Sequence, residues 1–326
     1  MADRLRGQGI VMLARVLLLM ITVIYLTACT TTTVEPQATA AGNTKIKNPP
    51  LKTEPKKAQI KLALKADPSV PKIDPAVSLC EAVGTKLGSV SIDDCLQHQL
   101  VHSAYTINNR SLAYKDYEPF KNRESLGRVM IVGGIHGDEF SSISVTLKWM
   151  NILDKHHSGL FHWRFIPALN PDGLLSKKSQ RQNANGVDLN RNFPTSDWEE
   201  LAIPYWREIT KNNPRRDPGI THTSELETQW LVGQIKEFNP DVIISMHAPY
   251  HLVDYDGPPT GPNNLGSLYL RTLGVFPGSL GNYVGLDLKK PIVTVELMSA
   301  GIMPAEQEIN QMWSDLVRWL RFKLAP

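Results

Sequence analysis

Cysteine is scarce in this 326-residue chain, with three in all: Cys29, Cys80 and Cys95. That number is too small for a fold stapled mainly by disulfides. Without a short-spaced partner pair, it also argues against a zinc site built from thiolates. Long apolar runs are missing as well. The stretch from Val16 to Leu26 falls short of the ~20 residues a membrane-spanning helix needs. No internal repeat occurs, and no basic patch carries interleaved aromatics, so a nucleic-acid-binding protein is not indicated. What remains is ordinary for a soluble globular protein: 42% hydrophobic and 21% charged residues, enough for one α/β domain of about 250 residues.

The first 28 residues read as a signal rather than as part of that domain. Arg4, Arg6 and Arg15 form a basic lead, the apolar run follows, and Leu26-Thr27-Ala28-Cys29 closes it. A cysteine directly after Thr-Ala resembles a bacterial lipobox, which implies cleavage before Cys29 and lipidation of that residue. An uncleaved N-terminal anchor is the other reading. Thr30, where an aspartate would signal inner-membrane retention, points to the periplasmic side of the outer membrane. Several acyl chains would hold the protein there by apolar burial. In such an oxidising compartment Cys80 and Cys95 are expected to pair, two buried free thiols being the alternative.

Residues 29–75 have the composition of a disordered tether, with Thr30–Thr33 in succession and prolines at 49, 50, 55, 68, 71 and 75. Eight lysines between Asn43 and Pro75 face Glu54, Asp67 and Asp74, while the whole chain is only +3. The basic balance therefore belongs to the tether and not to the domain beyond it. Residues 76–104 read as a small N-terminal cap, helical around Cys80–Lys86 and again from Ile92.

From residue 105 to 326 strands and helices alternate. Strands are expected at 128–132, 163–169, 241–246 and 291–295, and helices at 138–153, 225–238 and 305–324. Asn170-Pro171-Asp172-Gly173 reads as a turn. This alternation predicts a single α/β domain built on a mixed, mostly parallel sheet with helices on both faces.

Three polar residues stand at the ends of apolar runs, where such sheets present functional groups. Ile131-Val132 leads through Gly133 and Gly134 to His136 and Glu139, Ile243–Met246 leads to His247, and Val293–Val295 leads to Glu296. Imidazole and carboxylate donors suit Zn²⁺, and catalytic zinc usually keeps three protein ligands. Each of these residues alone would more often be a surface pair or a hydrogen-bonded strand end. Glycines at 133, 134 and 137 let the backbone turn tightly around a site. The second cluster is the Asn- and Gly-rich stretch Arg181–Pro194. Its two arginines could clamp an anion through bidentate hydrogen bonds, although a solvated loop is the plainer reading.

Taken together, His136-Gly-Asp-Glu139, Asp188-Leu-Asn190-Arg191-Asn192, Ser245-Met-His247 and Thr294-Val-Glu296-Leu297 resemble the zinc carboxypeptidase family typified by carboxypeptidase A. Asn170-Pro-Asp-Gly173 and Arg181-x-Asn-x-Asn-Gly186 resemble its murein peptide amidase A-like branch. The resemblance spans about residues 105–326. It implies one Zn²⁺ per chain on His136, Glu139 and His247, with Asn190 and Arg191 gripping a substrate carboxylate. It further implies Arg181 at the scissile carbonyl and Glu296 as general base. One departure stands out: the tyrosine that many members place ahead of a Gly-Ser pair has no clean counterpart before Gly278-Ser279. Leu280 sits where side-chain specificity is often decided. Together with the lipobox, the resemblance implies a peptidoglycan-derived peptide substrate, cleaved as a γ-D-glutamyl–diaminopimelate amide or by a carboxypeptidase. A general peptide carboxypeptidase, an N-acyl amino acid deacylase and a non-enzymatic wall-binding lipoprotein are the other readings. The oligomeric state is not legible.

Overall fold

The computed structural model describes residues 73–325, apart from 259 and 275. The expected signal, the lipidated Cys29 and the tether up to residue 72 lie outside the described residues. The helices are α1 (Pro75–Lys86), α2 (Ile92–Leu96), α3 (Phe140–His156), α4 (Pro171–Leu175), α5 (Trp198–Pro204), α6 (Leu226–Phe238) and α7 (Glu306–Leu324). The strands are β1 (Val101–Tyr105), β2 (Ser111–Tyr117), β3 (Arg128–Val132), β4 (His162–Ile166), β5 (Val242–His247), β6 (Leu252–Asp256), β7 (Asn264–Leu265), β8 (Leu268–Tyr269) and β9 (Ile292–Glu296).

Seven of the strands form one sheet in the order β1-β2-β4-β3-β5-β9-β6. Its centre, β4-β3-β5-β9, is parallel. The flanking pairs β1/β2, β2/β4 and β6/β9 are antiparallel. The apolar runs explain the centre: β5 is buried along its whole length, and β3 everywhere but at Arg128. A strand reads this way when both of its faces are covered. Two apolar clusters do the covering. One joins Ile131, Ile244 and Val293 to α1, α3 and α7. The other joins Met130, Ile243 and Ile292 to α6 and to Leu189 and Phe193. Helices on both faces of a mixed sheet is the expected architecture.

Two local expectations need correction. The strand expected at 163–169 stops at Ile166, because Pro167 has no N–H to give a ladder. The turn expected at 170–173 is the start of α4. Asn170 caps it by accepting the Gly173 amide at 2.8 Å, and Pro171 takes the first helical position, where its missing donor costs nothing. The Cys80–Cys95 disulfide forms as expected and ties α1 to α2. The strands β1, β2 and β6 escaped the sequence reading. Among the described residues, no helix is long and apolar enough to cross a membrane.

Candidate metal centre

The site forms where three parallel strands end. β3 stops at Val132, and Gly134, at φ 64°, turns the chain back toward the sheet. A Cβ at Gly137 would lie 2.2 Å from the Leu174 amide nitrogen, so only glycine lets this turn pack on α4. His136 and Glu139 therefore arrive side by side, with Glu139 at the N-cap of α3. His247 closes β5, and its register partner Glu296 closes β9.

All three expected ligands are buried. His136 Nδ1 lies 2.7 Å from Glu139 Oε1, and His247 Nδ1 lies 3.1 Å from both His136 Nδ1 and Glu139 Oε2. One ligating atom from each residue falls within 4.8 Å of the other two. Two imidazole nitrogens and a carboxylate converging on a common point fit a zinc ion, with room for further ligands. The Ala248 amide donates to Glu139 Oε2 at 3.1 Å and fixes that carboxylate. Burial alone would raise the Glu139 pKa, but His136 and His247 outweigh it and hold the group well below the carboxylate range. Burial would depress His247, yet Glu139 holds it above its ordinary value.

Asp188 was quoted in the sequence motif but given no role, and it organises the rest. Its Oδ1 stands 3.2 Å from His136 Nε2 and accepts the Asn190 amide at 3.1 Å. Its Oδ2 accepts Arg181 Nε at 2.8 Å. One buried carboxylate thus orients a ligand imidazole and a guanidinium together, the usual task of a partner behind a metal-bound histidine. Only the folded chain brings residues 136 and 181 to the same oxygen pair, so spacing could not reveal this role. Although burial opposes ionisation, Arg181 and His136 keep Asp188 well below its ordinary pKa. Arg181 Nη1 approaches His136 Nδ1 and Glu139 Oε1 at 3.1 and 3.5 Å.

Arg191 lies over the Phe276 ring at 4.6 Å, and its buried Nε has no hydrogen-bond partner. Burial lowers its pKa to about 10, still far above neutrality, so it stays cationic. Asn190 Oδ1 accepts the Leu280 amide at 2.8 Å, which straps the segment before Leu280 to this loop. Glu296 Oε2 accepts the Tyr250 amide at 3.4 Å. Burial raises the Glu296 carboxyl to about 7, with His247 pulling it down and Glu139 pushing it up.

His136, Glu139, His247, Arg181, Asn190, Arg191 and Glu296 line one cavity of about 410 Å³. Every expected catalytic, substrate-binding and metal-ligating residue is therefore brought together. Leu280 is buried in the second apolar cluster. The cavity also gathers side chains the sequence reading did not name as site residues: Tyr205, Arg215, Arg216, Asp254 and Asp256. Tyr205 lies edge-on to Phe276, with ring centroids 6.1 Å apart. The cavity residues from β6 could have been found only by recognising that strand, because two acids within a short apolar stretch are informative only when they share a face.

The zinc carboxypeptidase family (peptidase M14) matches residues 98–260. Murein peptide amidase A of Escherichia coli strain K12 is 31% identical over 219 residues, covering 62% of this chain and 82% of that protein. The murein peptide amidase A of Vibrio campbellii is 32% identical over 187 residues, covering 53% and 71%. Among solved structures, the carboxypeptidase A of Helicoverpa armigera aligns with a TM-score of 0.55 at 16% identity, covering 76% of this chain and 71% of that one. At that identity the likeness concerns the fold.

Proposed function

The chain belongs to the zinc carboxypeptidase family and is a hydrolase, and from this premise we propose that it cleaves an amide bond beside a carboxylate-bearing residue in peptidoglycan stem peptides. The observation that carries the reading is one cavity holding the His136–Glu139–His247 donor set, the acid Glu296 and the buried cations Arg181 and Arg191. A zinc ion on those donors would supply Lewis acidity toward a carbonyl and lower the pKa of a water molecule.

The chain's own groups divide the remaining work. Arg191 and Asn190 hold the free carboxylate of the released residue, the unpaired Arg191 Nε supplying a donor with no competing partner. Arg181, fixed by Asp188, places positive charge where the scissile carbonyl oxygen gains negative charge. Glu296, with its pKa near 7, takes a proton from the attacking water and returns it to the leaving amine. The peptidoglycan assignment is supported by the similarity to two murein peptide amidases. The lipobox-like Leu26–Cys29 adds export, with lipidation at Cys29 and a place on the periplasmic side of the outer membrane.

Zinc-loaded protein is incubated with muropeptides and, separately, with N-acyl amino acids and ordinary peptides, and the products are weighed by mass spectrometry. The expected outcome is release of a diaminopimelate-containing product. The Glu296→Gln variant should retain zinc and lose about 10²–10⁴-fold in kcat. Turnover of the acyl amino acids alone would replace the substrate assignment, and full activity of Glu296→Gln would refute the mechanism.

A further inference from the structure

Arginine is the commonest charged residue along the cavity, which is lined by Arg181, Arg191, Arg215 and Arg216. The four are not alike. Arg181 and Arg191 are each 7% exposed, whereas the side chains of Arg216 and Arg215 are 30% and 53% exposed. The first pair lies deep and the second stands at the mouth.

The sequence explains how the second pair is placed. Pro214-Arg215-Arg216 forms a single 3₁₀ turn, which Asn213 caps by accepting the Arg215 amide at 3.0 Å. Two hydrogen bonds fasten this turn to the loop of Arg181 and Asp188. Gln182 Nε2 donates to the Pro214 carbonyl at 2.8 Å, and the Asp188 amide donates to the Asp217 carbonyl at 2.8 Å. Such a helix has three residues per turn, so adjacent side chains point about 120° apart. Arg215 reaches Asp138 at 2.7 Å, and Arg216 extends toward Asp188 instead.

The charges here do not balance. Arg181 pairs with Asp188 at 2.8 Å, and Arg215 pairs with Asp138. Arg216 Nη1 stands 3.9 Å from the Asp188 oxygen that Arg181 already occupies, too far for a hydrogen bond. Arg191 keeps a buried nitrogen without a partner. Burial lowers the Arg191 pKa, Asp188 opposes this, and Arg181 and Arg216 add repulsion. Two cations are thus left over, and two anionic groups on a ligand would satisfy them. The carboxylate of the released residue meets Arg191. Arg216 is nearer the mouth, where the acyl side of the substrate leaves the cavity. A γ-linked glutamyl residue carries an anion on that side, because its α-carboxylate is free. An α-linked residue has its backbone amine in the corresponding place.

We propose that Arg216, with Arg215 beside it, binds the free α-carboxylate of a γ-linked glutamyl residue and so separates γ-glutamyl amides from ordinary α-peptides. This rests on the hydrolase reading above and adds the residues that read the linkage. The Arg216 guanidinium donates two hydrogen bonds to that carboxylate. Arg215 stays on Asp138 and adds positive field at the mouth.

The test uses full-length zinc-loaded protein and three peptides that release the same diaminopimelate. Their acyl residues are γ-linked D-glutamate, γ-linked D-isoglutamine, whose α-carboxylate is an amide, and α-linked D-glutamate. A charge-assisted hydrogen bond predicts that kcat/KM for the γ-glutamyl peptide exceeds that for the isoglutaminyl peptide by on the order of 10–100-fold, with the α-linked isomer also slower. In Arg216→Gln that ratio should fall below about threefold, and in Arg216→Glu it should invert. Should one variant misfold by circular dichroism, the other carries the test. Calorimetric binding of the γ-glutamyl and isoglutaminyl peptides to zinc-loaded Glu296→Gln supplies a readout independent of turnover. Equal rates and equal binding for these two peptides overturn the proposal while leaving the hydrolase reading intact, and a full preference retained by folded Arg216→Gln overturns it too. Absence of turnover on all three peptides counts against the hydrolase reading, and the calorimetric preference then decides this one.

Discussion

Glu227 shows how a single buried acid couples this protein to pH. It is 1% exposed, its Oε1 has no hydrogen-bond partner, and its Oε2 accepts Asn183 Nδ2 at 3.2 Å. The same Asn183 nitrogen donates to Glu225 Oε2 at 2.7 Å. Burial raises the Glu227 pKa from 4.5 to about 7, with Asp172 and Glu225 adding repulsion. The fold therefore favours the protonated form. The stability this group contributes is complete below pH about 4.5 and is lost as pH rises through about 7, a difference of about 3 kcal/mol at most. Glu227→Gln keeps the shape without the charge, so urea unfolding at pH 5 and pH 8 should show a smaller loss in the variant. Parallel losses in both proteins would clear Glu227 of the effect.

At the scale of elements, the legible ones were those with a single dominant cause. β3, β5 and β9 are apolar runs capped by a polar residue, and the residue that ends each run belongs to the site or leads straight into it. α7 presents one apolar face, with Ile309, Met312, Trp313, Leu316 and Leu320 buried. β1 and β2 mix polar and apolar residues; β1 is an edge strand, and β2 lies next to it. Val101 and Tyr105 are exposed, and Lys115 and Asp116 sit within β2. β6 was hidden because Asp254 and Asp256 interrupt its apolar pattern. The pairing of α1 with α2 was legible from the cysteine count together with the expected export. The disulfide closes a loop of 15 residues, for which chain entropy gives about 3 kcal/mol. Cys80→Ala/Cys95→Ala should therefore lower the unfolding free energy by roughly that amount, read by urea titration. Kinetic constants on a small peptide should change little, because neither cysteine lines the cavity. An unchanged unfolding midpoint would mean that the packing of α1 and α2 in the main core suffices without the bond.

At the scale of the whole molecule, the metal site joins parts of the chain that are far apart in sequence. His136 and Glu139 follow β3, and His247, 108 residues beyond Glu139, ends β5. A ligand that binds only the folded state stabilises it by RT ln(1 + [L]/Kd), about 2.7 kcal/mol at one hundred times Kd. For a domain of this size that corresponds to a rise in Tm of about 5–10 °C. Zinc added to metal-free protein should produce this shift together with one bound ion per chain by elemental analysis, and a chelator should reverse both. His247→Ala should abolish the shift, since two donors do not make the site. Asp188→Asn should weaken zinc binding by roughly 10–100-fold while leaving all three donors in place, so its shift should reappear at higher zinc. The described residues belong to one compact unit, and a chain beginning at Asp67 should show the same shift as the full chain. If it does not, residues before the unit contribute to metal binding, and the three-donor site is incomplete.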